Sequence, residues 1–121
     1  MKCLVVDDAR LARRMVIKKL HEVFEKNLEI FEATNGLEGV DSYKTHKPDI
    51  CFMDLTMPEM DGFEATAKIN ELYPDAQIVV VSADIQEMAI KKAQDAGAVG
   101  FIKKPIDHDN LVNMLEELNL L

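Results

Sequence analysis

The stretch DICFMDLTMPEMDG, residues 49 to 62, decides the fold. Asp49 to Met53 reads as a strand: Ile50, Cys51, Phe52 and Met53 follow one another without polar alternation, the pattern of burial on both faces. An acid, Asp54, comes directly after them, and Asp61 with Glu64 three residues on marks a helix start of the capping-box kind. A strand of that type, a short loop and a helix make one βα unit of a parallel sheet covered by helices.

The same unit recurs on either side. Apolar segments at 2–6, 28–33, 77–81 and 99–102 carry Val, Ile, Cys and Phe and read as further buried strands. Between them lie stretches of helical length and period. Leu11, Met15, Leu20, Val23 and Phe24 are expected to face the sheet from the first helix, and Leu111, Met114, Leu115 and Leu118 from the last. Asn35 with Glu38 predicts a second capped helix start, and Gly97 after Asp95-Ala96 predicts a left-handed helix end. The chain thus reads as one α/β domain over 1–121, a doubly wound five-stranded parallel sheet with helices on both faces and no output domain. No Pro/Gly/Ser-rich linker, low-complexity tract or repeat interrupts it.

Composition narrows the partners. The 121 residues hold no apolar run of roughly 18, so no membrane insertion is expected. Twenty-two acids against 14 Lys and Arg give a formal charge of −8, which repels a phosphate backbone, so direct nucleic-acid binding is not expected either. A protein partner or a metal ion fits better. The opening Lys2, Cys3 and Leu4 offers no export signal, and the expected compartment is cytoplasmic. Cys3 and Cys51 sit in apolar runs without C-x-x-C spacing and are expected buried and reduced.

In a doubly wound sheet the working site lies at the carboxyl ends of the strands, which right-handed crossovers bring to one edge. There the sequence places Asp7 and Asp8, Asp54, Ser82, and Lys103, Lys104 and Pro105. Four of them have a plain alternative. Asp8 could cap the first helix, Ser82 or Asp84 the fourth, Lys104 could be a solvated loop lysine and Pro105 a helix stop. Asp54 has no capping partner, and an unpaired acid behind ICFM would lose solvation. Three convergent carboxylates repel one another unless a cation is present. Oxygen donors without His or Cys point to a hard divalent ion, and few carboxylates with several waters suit Mg²⁺ better than calcium.

VVDD at 5–8, MDLTMPEMDG at 53–62, VSAD at 81–84 and FIKKP at 101–105 together resemble the receiver domains of two-component response regulators, over the whole chain. The resemblance implies strand order 2-1-3-4-5 and makes Asp54 the phosphoacceptor. It makes Asp7 and Asp8 the magnesium pair and the main-chain carbonyl of Thr56 a further ligand. It also makes Lys104 the lysine that pairs with the phosphoryl group, Ser82 the switch hydroxyl and Phe101 the switch aromatic. Pro105 follows Lys104 as in the family, after a cis bond, and Lys103 is expected to point the other way. Thr56 stands where Asn is frequent and Phe101 where Tyr is frequent, which bears on phosphoryl lifetime and on what an output partner can read.

The implied function is that of a single-domain, monomeric response regulator that takes a phosphoryl group from a sensor histidine kinase and then binds an output or phosphotransfer protein. It is not an enzyme acting on other substrates. DDARLARRM at 7–15, with Arg13 and Arg14, resembles chemotaxis regulators in particular. The alternatives are a phosphorelay intermediate or a receiver cut from a longer regulator. His21, His46 and His108 are expected on the surface, so the donor histidine belongs to the partner. A haloacid-dehalogenase-like phosphatase would require D-x-D after its first strand and a longer chain. A flavodoxin-like carrier would require a Ser/Thr/Gly-rich phosphate loop where this chain has Asp7-Asp8.

Overall fold

A computed structural model describes residues 1–84 and 86–121. Strands and helices alternate strictly: β1 (Lys2–Val6), α1 (Arg10–Val23), β2 (Glu29–Ala33), α2 (Gly36–His46), β3 (Ile50–Met53), α3 (Gly62–Leu72), β4 (Ile78–Ser82), α4 (Glu87–Ala96), β5 (Gly100–Lys103) and α5 (His108–Glu117). The strands form one parallel sheet in the order β2-β1-β3-β4-β5. The expected strands differ from these by a residue at some ends. The last two run one residue further than expected, because Ser82 pairs with Lys103 and the Lys104 N–H donates to the Ser82 carbonyl at 2.8 Å.

The apolar runs lack alternation because both sheet faces are covered. Cys3, Val5, Ile50, Phe52, Val79 and Val81 face one side, against Val16 and Leu20 of α1 and Leu111 and Leu115 of α5. Leu4, Val6, Cys51, Met53 and Ile78 face the other, against Val40 and Tyr43 of α2 and Ala65 and Ile69 of α3. Burying a Leu such as Leu20, fully enclosed here, stabilises the fold by roughly 1.5–3 kcal/mol. The expected α5 stripe is borne out, with Met114 and Leu118 packed on the edge of that core.

The expected α1 stripe is wrong over its first two turns. Leu11 is 75% and Met15 39% exposed. Nine residues separate Leu11 from Leu20, about two and a half turns at 3.6 residues per turn, so the two lie on opposite sides of the helix. Met15 instead lines a surface cavity of about 300 Å³ with Ala12, Val81, Lys104 and Pro105.

The helix-end signals hold, with one shift. Asn35 accepts from the Glu38 N–H at 2.8 Å and Asp61 from the Glu64 N–H at 2.9 Å, and Gly97 has φ +115°. The Glu38 carboxylate closes its box one residue early, on the N–H and hydroxyl of Thr34. Two glycines set the loop between β3 and α3. A Cβ at Gly36 or at Gly62 would collide with the carbonyl oxygen of Met60 or of Asp54, respectively.

Candidate functional site

The ends of β1, β3 and β5 gather Asp7, Asp8, Asp54 and Lys104 into one pocket. Carboxylate oxygens of Asp7, Asp8 and Asp54 all lie within 4.8 Å of one another. Asp7 and Asp54 are buried and Asp8 is exposed, so the cluster opens to solvent on one side only. Asp8 is not spent on capping α1. The N-cap residue is Ala9, without a side-chain bond, and its N–H goes to Asp7 Oδ1 at 2.9 Å.

Lys104 stands between the carboxylates. Its Nζ donates to Asp7 Oδ2 at 2.8 Å and to Asp54 Oδ1 at 3.1 Å. The loop-lysine alternative therefore fails. Burial alone would lower the Lys104 pKa, but its hydrogen bonds to Asp7 and Asp54 and their two charges outweigh that and raise it. Asp54 is raised too, first by burial and then by the charge of Asp7, against the opposing pull of Lys104. One lysine shared between two carboxylates leaves the pocket short of positive charge.

Ser82 ends β4 and is buried. Its Oγ accepts the Asp84 N–H at 3.1 Å, and Asp84 Oδ1 accepts the Gln86 N–H at 3.0 Å. The plain alternative, a cap on the fourth helix, therefore fails. Neither Ser82 nor Asp84 caps α4, whose N-cap Gln86 has no side-chain bond, and Asp84 closes a turn just before it. Among the described residues the Ser82 hydroxyl donates to no acceptor. Phe101 is partly buried against Leu55, Val80 and Ala93. Thr56 is exposed two residues beyond Asp54, the Lys104–Pro105 bond is cis as expected, and Lys103 is exposed while Lys104 reaches the pocket.

His21 and His108 are exposed as expected. His46 is only partly so, because its ring stacks on Phe31 at 3.7 Å. Burial pushes the Cys3 thiol up to about 12 and the Cys51 thiol higher still. Neither reaches the pocket chemistry.

Arg13 was not among the residues singled out for the site, yet it touches its frame. Its Nη1 donates to the Asp7 carbonyl at 2.7 Å and its Nε to Glu32 at 3.0 Å. The helical arithmetic that exposes Leu11 puts Arg13 on the side of Leu20, and a basic residue on that inward side was the available signal.

The family model described as Response regulator receiver domain matches residues 3–116. The chain is 41% identical over 119 residues to a chemotaxis protein CheY of Thermotoga maritima, covering 98% of this chain and 97% of that one. It is 43% identical to a chemotaxis protein CheY of Listeria monocytogenes, over 97% of each. Among solved structures, one of a CheX-CheY-BeF3-Mg+2 complex from Borrelia burgdorferi matches with a TM-score of 0.83 and 30% identity, covering all of this chain and 90% of that one.

Proposed function

The chain belongs to the family of response regulator receiver domains, and from that premise we propose that it accepts a phosphoryl group from a partner sensor histidine kinase onto Asp54. The observation that carries this is the bridging of Asp7 and Asp54 by Lys104 beside the exposed Asp8. A carboxylate Oδ of Asp54 attacks the phosphorus of the partner's phosphohistidine. The new O–P bond forms as the P–N bond breaks, and the leaving electron pair returns to the imidazole nitrogen. Lys104, already within hydrogen-bond reach of Asp54, follows the negative charge onto the transferring oxygens.

The donor set fits magnesium. All side-chain donors are oxygens, and the Asp54 pKa stays raised, first by burial and then by the charge of Asp7, despite the opposing pull of Lys104. Asp7, Asp8, Asp54 and the main-chain carbonyl of Thr56 would hold the ion. When bound it would supply positive charge to offset that of the phosphoryl oxygens.

Phosphorylation adds roughly 1.5–2 negative charges next to Ser82 and Lys104. The Ser82 hydroxyl donates to that group, and Phe101 moves with it, which remodels the face of α4, β5 and α5 for an output or phosphotransfer protein. The likeness to chemotaxis regulators over nearly their full length supports a regulator of that kind, and the reading takes it as a cytoplasmic, monomeric, single-domain protein that acts on no other substrate. Among the described residues no helix is long and apolar enough to cross a membrane.

The test is incubation with acetyl phosphate and magnesium. One phosphoryl group should be added at Asp54, and Asp54→Asn should take none. Modification mapped by mass spectrometry to another residue overturns the mechanism.

A further inference from the structure

Every polar atom of Asp7 is held. Its N–H donates to the Ala33 carbonyl at 3.1 Å, Oδ1 accepts from Ala9 at 2.9 Å, Oδ2 accepts from Lys104 at 2.8 Å, and its carbonyl oxygen accepts from Arg13 at 2.7 Å. The first three partners are main chain or the pocket lysine. The fourth is a side chain that reaches in from α1, outside the pocket. That carbonyl belongs to the planar Asp7–Asp8 peptide, so fixing its direction fixes the plane from which the Asp8 side chain departs. Arg13 is itself fixed: its side chain is 11% exposed, and Glu32 on β2, 44% exposed, holds its Nε.

We propose that Arg13 is a positioning residue for the divalent-ion site: it sets the Asp7–Asp8 peptide so that both carboxylates converge on Asp54, while Glu32 holds the guanidinium and offsets its charge. The inference rests on the magnesium reading above. Its charge and geometry parts are separable. A bare guanidinium beside three carboxylates competes with a cation, whereas one paired with Glu32 has little outward field. Removing Glu32 alone frees that charge, and removing Arg13 alone frees a carboxylate that attracts the ion. Removing both keeps the charge balance and takes away only the geometry. Salt weakens the first effect, since the Debye length is about 8 Å at 0.15 M, and leaves the geometric one in place.

The experiment titrates magnesium chloride calorimetrically into the wild-type chain, Glu32→Gln, Arg13→Gln/Glu32→Gln and Asp8→Ala, at low and high potassium chloride. The double variant should bind magnesium about 10-fold more weakly at both salt levels, the loss typical of groups that orient metal ligands. Glu32→Gln should lose affinity at low salt and recover much of it at high salt. In acetyl-phosphate assays of the double variant, the half-saturating magnesium concentration should rise while the rate at saturating magnesium stays near wild type. A merely structural role would not produce that split.

Magnesium affinity within twofold of wild type in the double variant, with Asp8→Ala impaired, overturns the role of Arg13 and leaves the metal reading standing. Wild-type affinity in Asp8→Ala overturns the metal reading itself. Should the double variant not fold, Arg13→Lys carries the test. There one ammonium replaces the separate Nε and Nη1 that reach Glu32 and the Asp7 carbonyl, so the charge is kept and the rigid fork is lost; severalfold weaker binding is expected, and unchanged binding refutes the proposal.

Discussion

Replacing Gly62 by Ala tests how rigidly the loop after β3 mounts Asp54. Gly62 is buried at the first position of α3, and its N–H donates to the Leu55 carbonyl at 2.9 Å. A Cβ there would collide with the Asp54 carbonyl oxygen and lie 2.8 Å from both the Asp54 carbonyl carbon and the Leu55 Cα. All three are backbone atoms, so no side chain can rotate away, and either α3 or the end of β3 must move. Overpacking of this kind costs about 1–3 kcal/mol, here toward the upper end, and the better helix propensity of Ala returns at most ~1 kcal/mol. The net is about 2 kcal/mol. With an unfolding entropy of about 2.1 cal/mol/K per residue over 121 residues, that lowers Tm by about 8 °C. Gly39→Ala is the internal control. Its nearest neighbours would be the two Val6 methyls at 3.1 Å, side-chain atoms that can give slightly, and the propensity gain offsets the contact, so Tm should stay within about 4 °C. Calorimetric melts decide the stability, and phosphorylation by acetyl phosphate should slow in Gly62→Ala alone. Equal Tm losses in the two variants, or none in Gly62→Ala, would refute the argument.

Further outcomes follow from the pocket. Asp54→Asn should raise Tm at pH 7 without magnesium. The raised pKa means the folded state binds the Asp54 proton more tightly than the unfolded chain, so stability falls as pH rises from the unfolded pKa to the folded one and stays lower above both. The gain in Asp54→Asn should therefore vanish below about pH 4, near the ordinary Asp pKa, and a gain independent of pH would contradict the stated cause. Asp8→Ala should weaken magnesium binding by at least about tenfold, read by titration calorimetry, since removing a ligand should cost no less than removing a group that orients one. Ser82→Ala should still accept a phosphoryl group but lose much of a partner preference for the phosphorylated form. A preference of about tenfold corresponds to roughly 1.4 kcal/mol. Amide shifts on adding beryllofluoride should reach α4, β5 and α5 in the wild-type chain, and shifts confined to the loops around Asp54 would leave relay without this switch as the better account.

The sequence disclosed what repeats or is chemically unusual. Runs such as ICFM are continuous because helices cover both faces, so all five strands were legible to within about a residue. An acid directly behind such a run has few plain explanations, which made Asp54 legible. Phase within a helix was harder to read. Leu11 and Met15 look like core residues by type, and only the angular count from Leu20 turns them outward. The same count turns Arg13 inward but does not disclose its role, which depends on a main-chain carbonyl and on Glu32, 19 residues away, neither of which has a side-chain signature next to it. Asp84 was legible only as a candidate cap of the fourth helix and not as the residue that occupies the Ser82 oxygen, since that bond uses its backbone N–H.

The two cysteines lie on neighbouring central strands, where Cys3 is in register with Ile50 and Cys51 with Leu4, so the thiols point into opposite layers. Both are fully enclosed and protonated, and only the thiolate reacts with alkylating reagents. The chain therefore carries a pair of silent chemical clocks, one beneath α1 and α5 and the other beneath α2 and α3. Pulsed alkylation read by peptide mass would show whether the two helical layers lift from the sheet together or one before the other, with no label engineered into the protein.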